Sequence, residues 1–375
     1  MSGSRIAAWA LAALGRATGT SSSAADDAAA PGVVLMTYDG AFREAIRPPT
    51  RWLRRAVVAA LALVGLAAAA PAGDAAEPAS VVFVTRDCAG LDFICPAFRR
   101  AAQRTGTTAR IIAPDPREDI TGTLALLGRQ GYDLVIGDPA LGFQIADAAE
   151  RSPQGRYAVI DMPVALGAGR PPNVAIIEVR ARGAAYLAGW LAGRMERLRP
   201  GPDVVGAVGG IQIPPVDELI VPFQAGARRA APGVRTLRGY SGSFDDPTAC
   251  TVVAEGQIAA GAGVLMDAAG GCGRGTLAAA RGAGRWAIGV DEDRSGLGPH
   301  ILTSVVKRYD RAFALLMRQA RNHRLRADRA IVMGIRRGGV ELGRISPRVP
   351  TRVRRELAAV RRDVVAGHIR VPGAP

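Results

Sequence analysis

Three short runs, VLMDAAGG (264–271), WAIGVDED (286–293) and ILTSVVKR (301–308), decide the fold. Each stays apolar until it ends in a glycine, an acid or a base. Runs of this kind, separated by helical stretches, predict parallel strands of an α/β sheet, whose ligands sit at the carboxyl ends of the strands. Gly270, Gly271, Asp291 and Lys307 fall at such ends. Lys307 is also singled out by composition, being the only lysine in a chain whose Lys+Arg total is 48. Lysine offers a compact point charge with three donors, arginine a planar fork. Retention of the ammonium therefore points to a site that needs the smaller group, or else to one survivor on a solvated surface.

Working outward, the same alternation covers most of the chain. Strands are expected at 81–85, 109–113, 133–137, 157–161 and 174–179. After the turn RPGPD (199–203), a second series follows at 204–210, 234–240, 264–268, 286–290 and 301–306. Helical spacing places Ile120, Leu124 and Leu127 on one face of 117–131, with Gly131 closing that helix. A long helix is expected over 181–198. Near the end, Val353, Leu357, Val360 and Val364 recur at helical spacing, and Gly367 stops the run. Between these, IVMGIRRGGVEL (331–342) reads as a hairpin with Arg337, Gly338 and Gly339 at its turn. The fold class is α/β, with two similar Rossmann-like lobes built on parallel sheets. Lobe 1 is assigned 79–185 plus 300–330, and lobe 2 is assigned 186–299 plus 331–375. At 375 residues and 49% hydrophobic content the chain can bury one large core or two ordinary ones.

The N-terminal part reads differently. Residues 1–50 offer no strand or helix and are expected to be an unstructured extension, with the true start downstream, for example at Met36. Residues 51–76 place Arg51, Arg54 and Arg55 ahead of an apolar run from Ala56 to Ala70 and a small-residue exit. That order predicts a signal peptide cleaved near Ala76, an uncleaved anchor being the alternative. No cysteine stands at the exit, so a lipid anchor is not expected and the mature chain should be periplasmic or secreted. Export favours pairing of the four cysteines. Cys88 and Cys95 are close in sequence, and Cys250 and Cys272 lie in neighbouring strand-helix units. These are the disulfide candidates, against free buried thiols.

The net charge of +15 first suggests nucleic acid. Its location argues otherwise, because residues 310–375 alone hold 16 arginines against five acids. No helix-turn-helix, zinc spacing or aromatic-interleaved basic stripe accompanies them. The surplus reads as a basic surface around the C-terminal helix, open to an acidic partner or an anionic membrane, or as a plain solvated face. His300, His323 and His368 lack metal-ligand spacing, and no GxSxG elbow occurs. The segment GGCGRG (270–275) lacks the Lys-Ser/Thr of a phosphate loop. Neither an enzyme nor a cofactor is expected.

A family resemblance rests on GGIQIPPVDELIVPFQAG (209–226), YSGSFDDP (240–247), DAAGGCGRG (267–275), AIGVDED (287–293) and LTSVVKRYD (302–310), with YLAG (186–189) and AGHIRVP (366–372) in support. In these segments the chain resembles the basic membrane protein family of solute receptors, the nucleoside-binding branch of type I periplasmic binding proteins. The resemblance spans about 80–372. It implies two lobes joined by crossing hinge strands that close on a ligand, a monomer that delivers its ligand to an ABC permease, and no cofactor or nucleic acid. It also implies that Asp161, Asp291, Lys307 and Gly271 hold a nucleoside mostly at its sugar. Carboxylates accept from vicinal hydroxyls, an ammonium donates to them, and a glycine lets backbone amides approach. Lys307 and Asp291 would neutralise one another in an empty cleft. The plain alternative for both acids is to cap the segments that follow them.

The sequence departs from the family where the base should bind. The family loop GGIDDxSFNQ is AGLDFICPAF here (89–98). Asp92 is kept, Phe93 replaces the second acid, and Pro96 and Ala97 stand in place of the stacking Phe and the Asn. A second expected aromatic is Leu219, and a glutamate expected before YLAG is replaced near Gly183. Phe93 or Phe98 could supply a substitute ring, although Phe98 equally suits the core. The expected function is an extracytoplasmic solute-binding receptor of an ABC importer for a nucleoside-like or other hydroxylated molecule. The alternative is a ligand sensor of a membrane signalling system, with a nucleoside-cleaving enzyme least favoured.

Overall fold

The computed structural model describes residues 78–373, except 87, 89–92, 116, 164–168 and 328. The N-terminal extension, the expected signal peptide and Asp92 lie outside the described residues.

All ten expected strands form. The first series runs β1 (Ser80–Val84), α1 (Ile94–Thr105), β2 (Thr108–Ile112), α2 (Ile120–Arg129), β3 (Leu134–Gly137), α3 (Gly142–Arg151), β4 (Tyr157–Ile160) and β5 (Val174–Glu178). After α4 (Arg182–Glu196) comes β6 (Val204–Gly209), α5 (Pro214–Ala230), β7 (Arg235–Tyr240), α6 (Pro247–Ala259), β8 (Val264–Ala268), α7 (Gly273–Gly282), β9 (Trp286–Asp291) and β10 (Ile301–Lys307). The chain ends with α8 (Tyr309–Arg321), β11 (Ile331–Val332), β12 (Val340–Leu342) and α9 (Thr351–Ala366). The central strands are apolar on both faces because helices cover both sides: every residue of β3, β4, β6 and β8 is buried. Helix α2 begins at Ile120 rather than at 117 because the Asp119 side chain accepts from Gly122 N and so caps it there. Helix α9 ends at Gly367, whose φ of 87° allows the left-handed cap that stops the helix.

The strands form two six-stranded sheets, ordered β11-β5-β4-β3-β1-β2 and β12-β10-β9-β8-β6-β7. This corrects the lobe assignment of 300–330 and 331–375 in two places. Strand β10 pairs in parallel with β9, so 301–307 belongs to lobe 2. The chain then returns, and α8 packs on lobe 1, where Arg104 of α1 reaches Asp310 at 2.9 Å. Strand β11 pairs with β5 in the first sheet, while β12 pairs antiparallel with β10 in the second. The expected hairpin at 331–342 is therefore a crossing between lobes, with a 3-10 turn over Ile335–Arg337 and Gly338 at φ 64°. The physical reason is that each sheet offers an open edge whose amides and carbonyls need partners. Met333 N donates to Glu178 O, Arg180 N to Met333 O, and Arg308 N to Gly339 O.

Helices α4 and α5 meet at backbone contact. A Cβ at Gly189 would overlap the Phe223 carbonyl, and one at Gly226 would overlap the Tyr186 carbonyl. The YLAG segment is thus a packing device that lets the two helices of lobe 2 interlock. Both expected disulfides are present, Cys88–Cys95 with Cα atoms 5.8 Å apart and Cys250–Cys272 with 5.6 Å. The second pins α6 to the turn that follows β8.

Candidate functional site

Lys307 lies at the carboxyl end of β10, at the start of a crossing between lobes. Its Nζ is 2.9 Å from Asp161 Oδ2, at the end of β4 in lobe 1, and 3.5 Å from Asp291 Oδ1, at the end of β9 in lobe 2. Burial acts against its charge, yet Asp161, Tyr309 and Asp291 outweigh that and hold the ammonium well above the usual lysine range. The three side chains keep 17%, 12% and 15% of their surface exposed, so they remain reachable from the cleft.

Asp161 has two further partners. Its Oδ1 accepts from Val179 N at 3.0 Å, and its Oδ2 accepts from the Tyr309 hydroxyl at 2.6 Å. One oxygen thus ties Asp161 to the chain just past β5, while the other takes the ion pair. Tyr309 opens α8, is buried, and stacks on Phe93 with ring centroids 5.6 Å apart and planes at 26°. Burial and the Asp161 carboxylate push its phenol well above the ordinary range, so it serves as a neutral donor.

Lys307, Asp291, Tyr309 and Phe93 border a cavity of about 500 Å³, and Asp161 stands behind Lys307, outside its lining. Phe93, Pro96 and Ala97 from the start of α1 form an apolar wall, and Asp291, Glu292, Asp293 and Lys307 form a charged one. Such a lining suits a molecule with one flat apolar side and several hydroxyls.

Of the residues singled out by sequence, Phe93, Asp161, Asp291 and Lys307 come together here. Leu219 is buried in α5 and Gly271 lies in the turn after β8, and neither borders this cavity. Phe98 is fully buried against Phe83 and Phe313, so its role is packing. Tyr309 was missed, although it stands two residues past Lys307 within LTSVVKRYD; no local signal tied its hydroxyl to an acid 148 positions away.

Asp267 is a further carboxylate near the site. It is 3% exposed at the base of the turn after β8, and its Oδ1 accepts from Ala269 N. Burial pushes its pKa up to about 7; the Ala269 amide opposes this, Asp291 adds to it, and Arg294 opposes it. Among the described residues no group of three His, Cys, Asp or Glu side chains could hold a metal ion, and no helix is long and apolar enough to cross a membrane.

Comparison with known proteins follows the same architecture. A family profile described as "ABC transporter substrate-binding protein PnrA-like" matches residues 97–374. Basic membrane protein A of Borreliella afzelii is 29% identical over 240 residues, 62% of this chain and 72% of that protein. A solved ABC transporter solute-binding protein from Aeropyrum pernix superposes with a TM-score of 0.68 at 22% identity, covering 79% of this chain and 94% of that one. Another, from Conexibacter woesei, superposes with a TM-score of 0.64 at 23% identity, covering 79% and 99%.

Proposed function

Since the chain belongs to the family of PnrA-like ABC transporter substrate-binding proteins, we propose that it is the extracytoplasmic receptor of an importer and closes its lobes on a nucleoside-like or other hydroxylated small molecule. The observation that carries this reading is the triad of Asp161, Lys307 and Asp291, contributed by both sheets and meeting at a partly exposed cleft. The two arms of the triad are unequal. At 2.9 Å the Asp161 arm is a direct charge-assisted hydrogen bond, whereas at 3.5 Å the Asp291 arm is a looser ion pair that leaves hydrogen-bonding capacity on both groups for a ligand hydroxyl beside them.

A vicinal diol suits these two groups. One hydroxyl donates to Asp291 and accepts from the third donor of Lys307, while its neighbour meets the other carboxylate oxygen. Each hydrogen bond to a charged group contributes about 1.5–3 kcal/mol, enough for a tight complex once the cleft excludes water. The Phe93 ring, held by its stack on Tyr309, supplies the apolar wall. A ligand held between Phe93 of lobe 1 and Asp291 of lobe 2 favours the closed state, because only closure makes both contacts at once.

The test is calorimetric titration of the purified protein with nucleosides, free bases and pentoses. Binding of a nucleoside or a pentose, and not of the free bases, is the expected pattern. Binding of free bases alone, or no heat with any of the three classes, would remove the diol from the proposal.

A further inference from the structure

On lobe 1, away from the cleft, α1 and α8 pack beside the crossing segment that carries β11 and the 3-10 turn at 335–337. Between them lies a second concavity of about 550 Å³. Leu315, Ile331 and Met333 supply its apolar surface, and every charged residue that borders it is an arginine: Arg104, Arg311, Arg318 and Arg337. We propose that this concavity binds a small organic anion, an oxyanion head with an apolar body, and that it is distinct from the solute cleft.

The charge balance carries the argument. Arg104 and Arg308 share Asp310, while Arg308 and Arg311 share Glu341. Two carboxylates thus serve three guanidinium groups. Arg318 and Arg337, both exposed, add two more charges and make no ion pair among the described residues. Of the four guanidinium groups that border the hollow, Arg104 and Arg311 are thus partly neutralised by shared carboxylates, and Arg318 and Arg337 by none. Like charges that converge repel one another unless an anion balances them.

Arg355, Arg361 and Arg362, by contrast, project from α9 into solvent, where water screens them. Those around the concavity point into it from three elements, and a guanidinium fork matches the oxygens of a carboxylate or phosphate. The apolar floor excludes a bare ion as the best fit and favours an anion that also buries carbon. The volume matches that of the cleft at Lys307, so a molecule of comparable size fits. Because Arg337 belongs to the crossing segment and Arg104, Arg311 and Arg318 to lobe 1, a bound anion would tie that segment to α8 and stiffen one strand of the hinge.

Titration of the purified protein with phenyl phosphate, inorganic phosphate and benzyl alcohol tests the site. Phenyl phosphate is expected to bind, inorganic phosphate about 10-fold more weakly, and benzyl alcohol not measurably. The double variant Arg318→Gln/Arg337→Gln should weaken phenyl phosphate by about 10-fold or more. The variant Arg361→Gln/Arg362→Gln, which removes the same net charge from α9, should leave it unchanged. Equal loss in both double variants would reduce the effect to diffuse charge and overturn the site. So would absence of phenyl phosphate binding, including the case in which only phosphatidylglycerol vesicles retain the protein.

Discussion

Asp161 and Asp291 hold matching places in the two lobes, each at the carboxyl end of the fourth strand of its series, and both adopt left-handed backbone conformations with φ of 57° and 70°. Among the described residues only His323 shares that departure without being glycine. Such a conformation costs on the order of 1–3 kcal/mol and persists where the surroundings impose it. Here the twist turns each carboxylate out of its strand and toward the same ammonium, that of Lys307. Two strained acids aimed at one cation are what the proposed solute site requires.

Replacing Lys307 tests how far the triad supports the empty protein. Lys307→Met keeps the stem but leaves Asp161 and Asp291 facing one another in a poorly hydrated pocket. Loss of one partner from a largely buried ion pair is strongly destabilising. With the remaining exposure screening part of the effect, apo stability should fall by about 1–3 kcal/mol, and ligand-induced stabilisation should vanish. Thermal melts with and without ligand check both parts. An unchanged ligand response would place the binding site elsewhere.

Gly189 tests the role of YLAG. Gly189→Ala inserts a methyl group where the Phe223 carbonyl lies. Overpacking of this kind costs about 1–3 kcal/mol, here by forcing α4 from α5. Denaturant melts should show that loss with solute affinity little changed, since neither helix borders the cavity at Lys307. A loss of affinity with full stability would contradict a packing role.

Asp267 gives a pH dependence with a definite sign. Its pKa is raised in the folded state to about 7, against about 3.9 when unfolded. The native state therefore holds the proton more tightly, and this group's contribution to stability is fully present below pH about 4 and is lost as pH rises through about 7. Asp267→Asn, which keeps an acceptor for Ala269 N, should flatten that decline and raise the melting temperature at pH 8 relative to the wild type. Equal pH profiles for the two proteins would show that Asp267 is ionised without cost.

Much of this was legible before any coordinates. The strands stood out because a strand covered on both faces must be apolar throughout, as in VVFV at 81–84 and VLM at 264–266. Asp291 and Lys307 were visible as polar ends of such runs, and the family resemblance added Asp161. The error at 331–342 has an equally physical cause. A turn-rich segment between two short apolar runs looks the same whether the runs pair with each other or with strands 154 and 33 positions away, as Ile331 with Ile177 and Val340 with Lys307 do. Tyr309 escaped for the same reason, since its partner Asp161 lies 148 positions away in the chain.

What the order of residues determined by itself was everything that depends on near neighbours: which segments become helix or strand, where Asp119 and Gly367 bound helices, and the two-series plan of the chain. What only the tertiary structure decided was everything that joins distant segments. The exchange of strands between sheets, the left-handed turns at Asp161 and Asp291, and the sharing of Lys307 between lobes all belong to this second group. The reason is that local conformation follows from each segment's own sterics and apolar pattern, whereas a strained carboxylate is held in place only by partners that folding brings from elsewhere.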